Sequence, residues 1–102
     1  MRWAPTTTAA TYRLHALPTS PPKPGLVRVA SGGAPIEVEV WALDDESFGS
    51  FVADVPPPLC IGTVELADGS TSKGFLVEPW ALDGAPDITA HGGWRAYLAA
   101  SG

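Results

Sequence analysis

Basic residues are scarce in this chain. Six Lys and Arg stand against eleven Asp and Glu, a net charge of −5 over 102 residues. A phosphate backbone is held by clustered cations, so this scarcity and scatter exclude nucleic acid as a partner. Cysteine is scarcer still. Cys60 alone permits no internal disulfide and has no CxxC or Cys/His companion for a metal, so no metal or cofactor is expected. Set in an apolar run, it reads as a buried, inert thiol. No apolar stretch approaches the roughly 20 residues that span a bilayer. No basic-then-apolar leader opens the chain either, so a cytoplasmic protein without a membrane partner is expected.

What remains is a folded composition, 45% hydrophobic and 17% charged, of a length that suits one domain with one modest core. Eleven Gly and eleven Pro imply many turns and few long helices. Residues 1–10 have no period and read as a loose tail, leaving residues 11–102 as the domain. Thr11–Leu17 alternates, with Tyr12 and Leu14 on one face and Arg13 and His15 on the other, which predicts a strand. Pro18–Gly25 holds four prolines and reads as a stiff loop. Leu26–Val29 is a short strand after it.

Ile36–Leu43 is the clearest strand. Ile36, Val38 and Val40 face one way, Glu37, Glu39 and Trp41 the other. Two carboxylates at i and i+2 lie about 6–7 Å apart on one face, but a solvated strand face produces the same pattern. Asp44-Asp45-Glu46 opens a helix, since carboxylates suit the positive end of the helix dipole. Phe48, Phe51, Val52 and Val55 give it an apolar stripe, and Pro56 ends it. A hairpin follows, Leu59 to Phe75, turning at Asp68-Gly69, with its second strand drawn as far as Trp80. Trp94, Tyr97 and Leu98 at i, i+3 and i+4 predict a short closing helix. The order β–β–β–α–β–β–α describes a small, mostly antiparallel α+β domain. Of the four tryptophans, Trp41 and Trp94 read as core, and Trp3 as an interface anchor.

Blocks along most of the chain resemble the C-terminal domain of allophanate hydrolase. They are Thr11–Leu17, Lys23–Val29, Ile36–Leu43, Phe48–Val52, Pro58–Leu66, Asp68-Gly69, Lys73–Phe75 and Ile88–Leu98. The resemblance implies a γ-glutamyl cyclotransferase-like fold, a small mixed barrel with flanking helices. It also implies service beside an amidase in breakdown of urea-derived carboxylates, with decarboxylation of N-carboxycarbamate as the chemistry. The family's opening strand and Gly-rich loop, which carry its catalytic histidine, have no counterpart before Tyr12, and His15 lies in a later strand. The cyclotransferase glutamate has none either: Val52–Pro56 offers only Asp54.

No catalytic residue is therefore assigned. A small carboxylate ligand needs cations and oriented donors. Lys73 stands just past the hairpin turn, Arg95 at a helix start where free N–H groups suit anions, and Arg13 on the first strand. With Gly62 in the hairpin, these are the candidate binding residues. Histidine as a residue type suits proton transfer, but His15 and His91 have no constellation around them. Two rival readings go with this one. In the first the chain is an interaction module whose open sheet edge is completed by a homodimer or an amidase subunit. In the second it is a cyclotransferase-like enzyme.

Overall fold

The computed structural model describes residues 2–101, with side chains from Ala4 onward, so the Trp3 anchor lies outside the described side chains. Six strands and two helices follow one another: β1 (Arg2–Thr7), β2 (Tyr12–Leu17), β3 (Lys23–Arg28), β4 (Glu37–Ala42), α1 (Asp45–Ala53), β5 (Leu59–Glu65), β6 (Thr71–Val77) and α2 (Trp94–Ser101). Short 3-10 turns lie at Pro79–Leu82 and Thr89–His91. All ladders are antiparallel: β1 with β4, β2 with β3, β5 with β6. Isolated bridges such as Thr8–Leu66 and Tyr12–Ala34 join them. The class is α+β as expected, but the ladders do not close into a barrel.

Three boundaries depart from expectation, each through proline. The supposed loose tail holds β1. Its Pro5 lies opposite Glu39 at a position that forms no ladder bond with β4, so the missing N–H costs that pairing nothing. β3 starts at Lys23 rather than Leu26, because Pro24 falls opposite Ala16 at an equivalent position. β6 ends at Val77 rather than Trp80, since Pro79 opens a 3-10 turn.

Tyr12, Leu14, Ala16, Leu26, Ile36, Val64 and Ile88 form the main core. Leu17, Val77 and Ala85 form a second cluster, where β3 packs beside β6 closely enough that a Cβ on Gly25 would meet Val77 Cβ at 3.3 Å. Most buried polar side chains are used, Thr11 Oγ1 being the exception among the described residues. Tyr12 Oη accepts the Glu65 N–H (2.9 Å), and Thr8 Oγ1 accepts that of Ile36 (3.0 Å). Thr89 Oγ1 accepts the Leu14 N–H at 2.9 Å.

Asp44 caps α1 by accepting the Ser47 N–H at 2.7 Å. The stripe of this helix does not reach the core, however: Phe48 and Phe51 stay 36% and 48% exposed. Trp41, expected in the core, is 47% exposed, whereas Trp94 does pack against it. Cys60 is only partly buried and points its thiol at the Leu76 carbonyl, 3.5 Å away.

Candidate functional site

Trp41, Phe48, Phe51 and Phe75 are exposed on one groove of about 960 Å³, to which every strand and both helices contribute. Its floor is core: Leu14, Leu26, Ile36 and Val64. Val38, Val40 and Trp41 of β4 form one wall. Phe48 and Phe51 of α1 form another, with Phe51 tilted against Phe75 of β6 at 5.4 Å between ring centres. The volume is that of a small-molecule pocket, and the lining is chiefly apolar. Its charged side chains are Glu37, Glu39, Lys73 and Arg95, two of each sign.

Of the candidate binding residues, the fold brings Lys73 and Arg95 to this groove and leaves the others elsewhere. Both cations hold partners of their own. Lys73 Nζ donates to Thr63 Oγ1 at 2.7 Å, and Arg95 Nη2 lies 3.2 Å from Glu39 Oε1. Gly62 sits in β5, where a Cβ would come within 2.6 Å of the Leu76 side chain. It therefore serves packing inside the hairpin. Arg13 is committed on another face: its Nε donates to Asp87 Oδ2 and its Nη1 to the Gly32 carbonyl, both at 2.6 Å.

Neither histidine faces the groove. His15 Nδ1 lies 3.0 Å from the Ala85 carbonyl, which only accepts, so the proton sits on Nδ1. Its Nε2 is 3.8 Å from Asp87 Oδ2. His91 packs edge-on against Tyr97. Asp54, the nearest carboxylate to the cyclotransferase position, is the exposed C-cap of α1. Among the described residues no group of three or more His, Cys, Asp or Glu could hold a metal, and no helix is long and apolar enough to cross a membrane.

Asp87 anchors the segment that covers the outer edge of β2. Arg13 beside it holds its carboxyl well below the usual carboxylate range, helped by the Thr89 N–H and opposed by burial. A carboxyl whose folded pKa is depressed stabilises the fold above its unfolded pKa of about 3.9 and loses that contribution as pH falls below it. Asp87→Asn is expected to cost about 1 kcal/mol at pH 7, a modest figure because the pair is a third exposed. It should also flatten the loss of stability on acidification below about pH 4. Urea titrations from pH 7 to pH 2.5 check this; parallel profiles for the two proteins would overturn it.

The groove was missed in the sequence because its parts are each ordinary. Phe48 and Phe51 read as a core-facing stripe, and Val38 and Val40 as the buried side of a strand. The fold leaves them open together as walls of one groove.

Comparison with known proteins bears on all of this. The model of the allophanate hydrolase C-terminal domain family matches residues 2–99. Urea amidolyase of Saccharomyces cerevisiae is 47% identical over 98 residues, 91% of this chain but 5% of that protein. The urea amidolyase of Lachancea kluyveri is 43% identical over 96 residues, again 5% of its length. Among solved structures, Kluyveromyces lactis allophanate hydrolase superposes with a TM-score of 0.92 at 40% identity, covering 97% of this chain and 17% of that one. The protein c4763, described as specific to uropathogenic E. coli, gives 0.86 at 37%, covering 96% of this chain and 76% of its own. This chain thus spans a small fraction of the curated relatives it matches.

Proposed function

Since the chain belongs to the allophanate hydrolase C-terminal domain family, we propose that it serves as the accessory domain of a cytoplasmic, amidase-type system that breaks down urea-derived carboxylates. The groove supports this reading, since it is a large concave face built from all the main elements. In its finer form the reading has the domain promote loss of carbon dioxide from N-carboxycarbamate. Lys73 and Arg95 at the groove are then the cations that meet the anion, once each gives up its present partner. The family reading also carries a γ-glutamyl cyclotransferase-like chain path, which rests on the resemblance alone.

One observation favours a second role on the same face. The lining is apolar and its charges balance, which suits a polypeptide better than a small dianion. On this reading the domain docks to its amidase and adds no chemistry. Carbon-13 NMR separates the two. An amidase half lacking its own C-terminal domain is fed allophanate with and without this chain. Faster loss of N-carboxycarbamate, with bicarbonate appearing, supports the decarboxylating form. An unchanged rate with the chain folded sinks it and leaves docking.

A further inference from the structure

The longest wall of the groove is the side of a strand. β4 contributes both of its faces, Val38 and Val40 from one, Glu37 and Glu39 from the other. A strand can do so only where the cavity runs along its edge rather than beneath one face. The bonding pattern says which edge. Thr8 N–H donates to the Ile36 carbonyl at 2.9 Å, and the register with β1 continues unbroken from Thr7–Glu37 to Arg2–Ala42. In antiparallel pairing alternate residues bond the partner and those between them point away. Val38, Val40 and Ala42 therefore serve β1, and the peptide groups of Glu37 and Glu39 point to the other side. Glu37 is taken up by a parallel bridge to Gly93, its N–H donating to the Gly92 carbonyl at 2.7 Å. Beyond that point no strand pairs with this edge among the described residues.

We propose that the groove takes one extended segment of a partner polypeptide, added as a strand along the outer edge of β4. This rests on the groove being a docking face, not on the decarboxylating chemistry. Three features fix the occupant. The N–H and C=O of Glu39 require main-chain partners at strand spacing. Walls of Val38, Phe48, Phe51 and Phe75 require apolar side chains at alternate positions. Two acids and two bases in the lining require a segment with little net charge. A second copy meets the first need but fails the last: two β4 edges pairing antiparallel would set Glu37 and Glu39 opposite each other, and like charges directly opposed destabilise a pair. The match to relatives in which this region is 5% or 17% of a chain puts further polypeptide next to such domains.

The test uses the whole chain and random twelve-residue peptides displayed on phage. Enriched peptides should alternate apolar residues and lack proline. A synthetic copy of the most enriched one, at saturation, should slow hydrogen exchange at the Glu39 amide at least tenfold. Glu39→Pro removes the outward N–H while leaving every bond to β1, and should weaken that peptide at least tenfold. If this variant does not fold, amide exchange in the parent chain still decides. The proposal is overturned by an absence of enrichment, or by peptides that bind with Glu39 exchange unchanged. A dimer whose formation protects the same amide would also overturn it. Protection of Glu39 together with an unchanged decarboxylation rate would remove the chemistry and leave this inference standing.

Discussion

Tyr12→Ala is expected to lower the free energy of unfolding by about 3–5 kcal/mol, the range for emptying a buried aromatic site. Tyr12 is 0% exposed and belongs to the core cluster with Leu14, Leu26, Ile36 and Val64. It ties three pieces of the fold. Its backbone pairs with Arg28 in β3, its carbonyl accepts the Ala34 N–H at 2.8 Å, and its hydroxyl accepts the Glu65 N–H of β5. The Arg28 guanidinium lies over the ring at 5.8 Å. Tyr12→Phe separates packing from the hydroxyl. It keeps the ring and deprives the Glu65 amide of its acceptor, for about 1 kcal/mol. Urea unfolding with equal slopes gives both numbers. A loss below about 1 kcal/mol for Tyr12→Ala would refute the account of Tyr12 as the joint of the core.

Gly33→Ala is the second large effect, about 3 kcal/mol, at the upper end for overpacking. A Cβ there would stand 2.7 Å from Thr11 C, Thr11 Cα and Tyr12 N. All three are backbone atoms, which cannot turn aside as the tip of a side chain can. Gly32 provides the contrast. It has φ +75° and nothing within 4 Å of a Cβ, so Gly32→Ala meets only the left-handed conformational cost of about 1 kcal/mol. The pair is compared in one urea series; equal losses would mean that close approach at Gly33 decides nothing.

Both effects sit where the chain crosses itself, and such crossings are what the sequence conceals. The β5–β6 hairpin was legible because Asp68-Gly69 lies between two apolar runs; Gly69 has φ +87°, and Ser70 bonds Asp68 locally. α1 was legible from Asp44 onward because a cap and its first turn are neighbours in sequence. β1 was not. Trp-Ala-Pro-Thr-Thr has no alternation, and it is a strand because β4, some thirty residues on, holds it there. The site divides in the same way. Lys73 and Arg95 do reach the groove, but Arg13 is claimed by Asp87, 74 residues away. No local pattern in the chain announces that ion pair. The stripe of α1 showed which residues are apolar, while the arrangement of the other elements decided that they would face a groove.

Pro5 has an effect beyond sparing the β1–β4 ladder. Its ring sits where β1 would otherwise offer a donor on the side away from β4, and two residues on the Thr7 carbonyl is already occupied by the Ala67 N–H at 3.0 Å. The ladder therefore has one receptive margin and one closed one. Stacking into a filament needs both, because each newcomer must expose what the previous one consumed. On the proposed mode of docking, a strand taken by β4 meets no matching margin at Pro5 and Thr7 of β1, so association through this sheet is expected to stop at one guest.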